Sequence, residues 1–271
     1  MQAVSHATPI QAITLDLDDT LWPFPPIGER IERLLHAWFE QHAPRTAAQF
    51  PIAAMRRLRD RTIERFPARS HDASWLRRKG IEIALEESGE DPTLADPAYE
   101  AFYAERNNVD FYADARDALA RIAALFPICA VTNGNADLAM IGIDMHFAHR
   151  ITAREFGVGK PDPAIFLHAC ERLGLPSAQV LHVGDDVEAD IVGAHRAGLQ
   201  TCWLHRDDAR DRHPTWPKRD FVPTLTFPTL AALADWLACR DRAEDEAART
   251  GRPRSAFLFP ARGRRGHLTR E

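Results

Sequence analysis

Four polar clusters stand at or just beyond the ends of apolar segments, and their residue types suit transfer of a phosphoryl group. They are Asp16 with Asp18, Thr132 with Asn133, Lys160, and Asp185 with Asp186 and Asp190. Each alone has an ordinary explanation. An acidic pair after a strand is often a turn or a helix cap, a Lys-Pro in a loop usually faces water, and a threonine at a strand end is usually structural. In this order and on one edge of one sheet they specify a reaction. Carboxylates would repel a phosphate dianion, and a hard cation with oxygen ligands resolves that conflict, magnesium being the usual choice beside phosphate. Asp16 and Asp185 can hold such an ion from different strands. Asp16 can also attack phosphorus and form an aspartyl-phosphate. Asp18, two residues on, is placed to protonate the leaving oxygen and then to activate water. Thr132 and the amides around Asn133 can hold the phosphoryl oxygens, and Lys160 supplies positive charge where negative charge concentrates during transfer.

These groups need a scaffold that lines them up. The segment Ala12-Ile-Thr-Leu-Asp-Leu17 reads as a buried strand running into turn chemistry at Asp16-Leu-Asp-Asp-Thr20. Apolar residues at three- and four-residue spacing then predict helices over 29–39, 47–66, 73–87 and 97–105, broken at Pro23 to Pro26, Pro44, Pro67 and Gly89. From about Phe111 the pattern alternates: helix 113–126, strand 128–132, a short strand 150–153, helix 163–173 closed by Gly174, strand 180–183, helix 187–197 and strand 200–204. Alternating strands and helices imply crossover units and a parallel sheet. The first strand has no other neighbour to pair with, so it belongs to that sheet and the helical stretch is an insertion. The expected fold is therefore α/β, a Rossmann-like doubly wound parallel sheet with an inserted all-helical unit. The sheet domain is discontinuous, 1–21 and 109–239, with the insertion at 22–108. Residues 240–271, rich in charge and then in Gly, Arg and Pro, are expected to form a disordered or loosely docked tail. Ligands of open parallel sheets bind beyond the carboxyl ends of the strands, where all four clusters fall.

Composition narrows the field. The 271 residues are 45% hydrophobic and 27% charged, as a globular chain with a real core should be. A net charge of −5 argues against nucleic acid as a main partner. Residues 1–11 lack a basic start and an apolar run, and the longest apolar stretch, 118–131, carries Arg121 and Pro127. Neither a secretory signal nor a membrane span is expected, which leaves a cytoplasmic protein, monomeric or homodimeric. Cys129, Cys170, Cys202 and Cys239 form no CxxC pair and read as unpaired thiols, Cys129 and Cys202 within buried strands.

The four clusters resemble the sequence motifs of the haloacid dehalogenase superfamily in its phosphatase branch. Asp16-Leu-Asp-Asp-Thr20 matches the first motif, nucleophile then acid/base. Thr132-Asn-Gly134 matches the second, Lys160-Pro-Asp-Pro163 the third, and Gly184-Asp-Asp-Val-Glu-Ala-Asp190 the fourth. The resemblance covers residues 13–204. It implies Mg2+ bound by Asp16, Asp185 and the main-chain carbonyl of Asp18, with Asp186 and Asp190 in support. It also implies that the inserted helices form a mobile cap that closes over the site and excludes water. A finer resemblance, carried by Leu17-Asp-Asp-Thr-Leu-Trp22, Thr132-Asn-Gly-Asn135, His182-Val-Gly-Asp-Asp186 and Gln200-Thr-Cys-Trp203, is to bacterial phosphatases of flavin mononucleotide and ribityl-aminouracil phosphate. In that comparison His71, Asp72 and Arg77 of the cap occupy matching places and are expected to contact the substrate, a small phosphorylated metabolite.

Other readings stay open at this point. A sugar-phosphate phosphatase or a phosphomutase would use the same residues. A dehalogenase needs the nucleophile but neither a proton donor at Asp18 nor magnesium, and a non-catalytic binding module needs none of the chemical groups. Trp38, Phe39, Phe50 and Trp75 lie at helical spacing among apolar neighbours and read as core of the insertion. His36, His42, His146, His149 and His168 show no metal-ligand spacing, and His182, within an apolar strand, reads as a hydrogen-bonded core histidine.

Overall fold

The computed structural model describes residues 8–206, 216–218 and 220–250, with side chains described through residue 242. Six parallel strands form one sheet in the order β3-β2-β1-β4-β5-β6. The strands are β1 (Ala12–Leu15), β2 (Ile128–Thr132), β3 (His149–Thr152), β4 (Val180–Gly184), β5 (Gln200–Leu204) and β6 (Leu225–Phe227). β1 lies between β2 and β4, pairing Leu15 with Ala130 and Leu15 with Val183, so residues far apart in sequence meet at its carboxyl end.

Side chains alternate across each strand, and the apolar ones divide between two cores. Ile13, Leu15, Ile128, Ala130, Leu181 and Val183 face one side, against α6 (Ala115–Ala123) and α11 (Leu230–Thr250). Ala12, Cys129, Val131 and Val180 face the other, against α9 (Pro163–Leu173) and α10 (Gly193–Arg196). Because both faces are covered, the strands read as continuous apolar runs.

Between β1 and β2 run five helices of the insertion, where four were expected: α1 (Phe24–His42), α2 (Pro44–Gln49), α3 (Ile52–Arg65), α4 (Ala73–Glu87) and α5 (Ala95–Arg106). α1 buries Ile27, Ile31, Leu35 and Phe39, one residue per turn, and packs on α5, which packs on α4. The helix expected over 47–66 is broken in two, because Pro51 ends α2 and starts α3. Phe39 and Phe50 are buried in the insertion's cores, and Trp38 stacks on His42 at 4.3 Å. Two short helices, α7 (Leu138–Ile141) and α8 (Ala153–Phe156), flank β3.

Three local features depart from expectation. The helix expected over 187–197 begins as a π-helical turn, Val187–Val192, before α10. β6 adds a strand at the sheet edge. Helix α11 continues past residue 240 to Thr250, and residues 251–271 of the expected tail lie outside the described residues. Among the described residues no helix is long and apolar enough to cross a membrane, and the four cysteines are unpaired, Cys129 and Cys202 buried in β2 and β5.

Candidate active site

Asp16 directly follows β1, and its backbone N–H donates to the carbonyl of Val183 on β4 at 3.0 Å. The buried ammonium of Lys160 bridges two carboxylates, with Nζ 2.5 Å from Asp16 Oδ1 and 2.6 Å from Asp190 Oδ1. Asp185 follows β4 and accepts a hydrogen bond from Thr20 Oγ1 at 3.2 Å. One oxygen from each of Asp16, Asp185 and Asp190 lies within 4.8 Å of the other two. Three carboxylates thus gather beside one ammonium that touches two of them, in a largely buried space.

The electrostatics follow from that imbalance. Burial, with the negative charges of Asp190 and Asp18 added, pushes Asp16 up to about 7 against the pull of Lys160. Burial and the charges of Asp16, Asp190 and Asp19 push Asp185 up to about 8. Burial works to discharge Lys160, but Asp16 and Asp190 outweigh it and hold the amine above its ordinary range. Asp190 is also buried, yet Lys160 and His182 hold it well below the usual carboxylate range. A net excess of negative charge on oxygen donors fits a hard divalent cation. Asp190 Oδ1 already accepts from Lys160 and from His182 Nε2, and Oδ2 from the amide of Asp186 at 3.1 Å, so Asp16 and Asp185 are the carboxylates with room for an ion.

Local chemistry explains the motif spacing. Asp162 caps α9 by accepting from the Ala164 amide at 2.9 Å, with Pro163 at the first helical position, where a missing N–H costs nothing. Asp186 caps the π-helical turn through the amides of Glu188 and Ala189. A Cβ on Gly184 would sit 2.3 Å from the Asp190 carboxylate, and one on Gly134 would sit 2.7 Å from Asp18 Oδ2, so both glycines are required by close approach. The Thr132 hydroxyl accepts from the Gly134 amide at 2.9 Å and keeps its own proton to donate. The Asn133 side chain is committed to the backbone of Lys160: it donates to the carbonyl and accepts from the amide, both at 2.8 Å. It braces the lysine loop.

Asp18 is held by two residues that motif spacing does not reveal. Arg106, at the end of α5, donates from Nη2 to Asp18 Oδ1 and Oδ2 at 2.8 and 2.6 Å, and Trp22 Nε1 donates to Oδ1 at 2.8 Å. Arg106 Nε reaches Asn135 Oδ1 at 3.2 Å, and Asn135 donates to Ser74 Oγ in α4 at 3.2 Å. The insertion therefore touches Asp18 through α5, and the start of α4 touches the neighbouring loop at Asn135. The only sequence signal for Arg106 is an arginine on the apolar side of a helix, which commonly means no more than a snorkelling side chain.

The three residues of the insertion expected at the substrate fare differently. Asp72 caps α4 through the Trp75 amide at 2.9 Å and lies 3.7 Å from Arg154 of the sheet domain. His71 is partly buried beside it. Arg77 points into the helical insertion, its guanidinium 4.8 Å from the Phe102 ring centre, and burial plus the charge of Arg59 lowers it to about 10. Of the start of α4, Ser74 is the residue seen to join the loop network around Asp18.

The haloacid dehalogenase-like hydrolase model matches residues 10–198. The chain belongs to the haloacid dehalogenase-like hydrolases. Among relatives in this family, a 5-amino-6-(5-phospho-D-ribitylamino)uracil phosphatase of Escherichia coli strain K12 is 34% identical over 228 residues, 83% of this chain and 94% of that protein. A glyceraldehyde 3-phosphate phosphatase of Methanopyrus kandleri is 29% identical over 246 residues, covering 87% of this chain and all of that protein. A solved 2-haloacid dehalogenase from Pseudomonas syringae pv. Tomato DC3000 superposes with a TM-score of 0.77 at 33% identity, over 85% of this chain and 99% of that one.

Proposed function

We propose that this haloacid dehalogenase-like hydrolase removes the phosphoryl group from a small phosphorylated metabolite through an aspartyl-phosphate on Asp16, with magnesium as cofactor. Phosphoric monoester hydrolysis is the activity named for two relatives matched over nearly their whole length, and this chain is a hydrolase of that class. The observation that carries the mechanism is the buried group Asp16, Asp185 and Asp190 around a single ammonium, an arrangement that stays strained until positive charge arrives.

Asp16 attacks phosphorus and the bond to the leaving oxygen breaks. Asp18 gives that oxygen a proton, so the alcohol leaves neutral. In the second half Asp18 takes a proton from water as the water oxygen attacks phosphorus, which breaks the aspartyl-phosphate and frees Asp16. Lys160 offsets charge on Asp16 and the phosphoryl oxygens, and the Thr132 hydroxyl donates to one of them. Asp16, Asp185 and the Asp18 carbonyl would hold magnesium, which supplies charge neutralisation beside the phosphoryl group.

For the substrate, we favour a ribityl-aminouracil phosphate or flavin mononucleotide, supported by near full-length similarity to the Escherichia coli phosphatase. A sugar phosphate is the second candidate, supported by the Methanopyrus kandleri relative. The likeness to a named dehalogenase raises a third reading, against which stands Asp18, a proton donor that halide departure does not require. Hydrolysis of p-nitrophenyl phosphate with magnesium, lost in EDTA and restored by magnesium, tests the activity. Turnover of 2-chloropropionate without metal, and none of phosphomonoesters, would overturn it. A panel including the ribityl-aminouracil phosphate, flavin mononucleotide and glyceraldehyde 3-phosphate, ranked by kcat/KM, tests the substrate.

A further inference from the structure

A chain of buried hydrogen bonds runs from the middle of the sheet to the nucleophile, and the role of its first two members follows from their chemistry. Thr14 of β1 and His182 of β4 are register partners, wholly buried. Thr14 Oγ1 lies 2.9 Å from His182 Nδ1, and His182 Nε2 lies 3.1 Å from Asp190 Oδ1. Asp190 Oδ1 is the oxygen that also accepts from Lys160 Nζ, which in turn touches Asp16. The Phe166 ring packs edge-on against the imidazole at 4.9 Å and fixes its plane.

The proton positions are forced. A carboxylate only accepts hydrogen bonds, so the hydrogen on His182 must be on Nε2. Burial works against the imidazolium and lowers its pKa despite the nearby Asp190 charge, so the ring is neutral and Nδ1 is an acceptor. Thr14 must then donate to Nδ1. The acceptor-only carboxylate selects the tautomer, Thr14 satisfies the remaining ring nitrogen, and the imidazole so held grips Asp190 Oδ1 while the Asp186 amide holds Oδ2.

That aim matters because Lys160 is divided between two carboxylates at nearly equal distance, 2.5 Å to Asp16 and 2.6 Å to Asp190. With Asp190 held in place, the ammonium is drawn partly off the nucleophile. Without the His182 bond, Asp190 keeps the Asp186 amide on Oδ2 but can pivot about it, so Lys160 settles more on Asp16 and its charge is spent masking the attacking oxygen. We propose that His182, anchored in the sheet by Thr14, is a positioning residue that keeps Lys160 shared between Asp190 and the nucleophile. The catalytic consequence rests on the phosphatase reading above; the hydrogen-bond relay does not.

Two measurements test it in the full chain. Imidazole 15N NMR of the wild type should show His182 as the single Nε2–H tautomer, and Thr14→Val should leave the proton on Nε2 but move the Nδ1 resonance to that of an acceptor without a donor. An Nδ1–H tautomer in the wild type, or no change in Thr14→Val, overturns the relay whether or not the enzyme is active. In kinetics on p-nitrophenyl phosphate, Thr14→Val and His182→Phe should lower kcat on the order of 10- to 100-fold, the usual scale for partners that orient a reacting group, while KM moves by no more than roughly twofold. His182→Gln, which restores a donor toward Asp190, should recover much of the loss. Wild-type kcat in folded Thr14→Val, or equal loss in Gln and Phe variants of matched melting temperature, overturns the positioning role. A wild type that hydrolyses no phosphomonoester overturns the phosphatase reading instead, and the tautomer measurement then decides the relay.

Discussion

Replacing Asp185 with Asn should make the metal-free protein more stable and its melting temperature indifferent to magnesium. Asn keeps the shape of the side chain and the acceptor for Thr20 Oγ1, and it removes a carboxylate that burial and the charges of Asp16 and Asp190 push from 3.8 to about 8. The sign follows from proton linkage. As pH rises above 4, the unfolded chain loses the Asp185 proton while the folded chain keeps it up to about 8, so wild-type stability falls with pH across that window. The slope is at most about 1.4 kcal/mol per pH unit for one proton. Between pH 5.5 and 7.5 the advantage of the Asn variant should therefore grow by about 1–3 kcal/mol, allowing for partial water access and for the charge shared with Asp16. For a chain of this size that is roughly 3–10 °C in melting temperature. Thermal melts in EDTA from pH 5 to 8.5 measure it, and a second series in millimolar magnesium should raise the wild type but leave the variant where it was. The reasoning is refuted if the variant is no more stable than wild type at pH 8 in EDTA, or if its advantage fails to shrink as pH falls toward 5.

Four further outcomes can be checked with purified variants. Asp16→Asn should lose turnover by roughly 10³-fold or more while remaining folded by circular dichroism; near-normal rates would remove the covalent intermediate. Lys160→Met should cost about 3 kcal/mol of transition-state stabilisation, read as kcat/KM, whereas a solvent-facing lysine would show almost no change. Arg106→Lys cannot span both Asp18 oxygens and Asn135, so kcat/KM should fall about tenfold, with unchanged kinetics denying the arginine a part in aiming the acid/base. Arg77→Ala should lower the unfolding free energy by about 1 kcal/mol through lost contact with Phe102, with kcat/KM unchanged on metabolites and p-nitrophenyl phosphate alike; a selective loss on metabolites would instead place Arg77 at the substrate.

How much was legible in the sequence depends on the range over which each feature is decided. Strands β1, β2, β4 and β5 announce themselves as short apolar runs because both faces of the sheet are covered, and each motif sits where a strand gives way to turn chemistry. Asp16, Asp18, Thr132, Lys160 and Asp185 were therefore readable by type and spacing, as were the helices of the insertion by their periodicity. The sequence by itself also decided the caps: Asp72, Asp162 and Asp186 each serve amides two or three residues away. Short-range patterns fail where the signal is a few residues long, as in β6 or the break at Pro51. They fail altogether where partners are distant. Arg106 meets Asp18 across 88 positions, and Thr14 meets His182 across 168, pairings set by strand register and by helix packing that no local window contains. The elevated pKa of Asp185 belongs to the same class. It exists because parallel strands deliver three carboxylates and one ammonium into a space too dry to screen them, and only the tertiary structure brings those charges together.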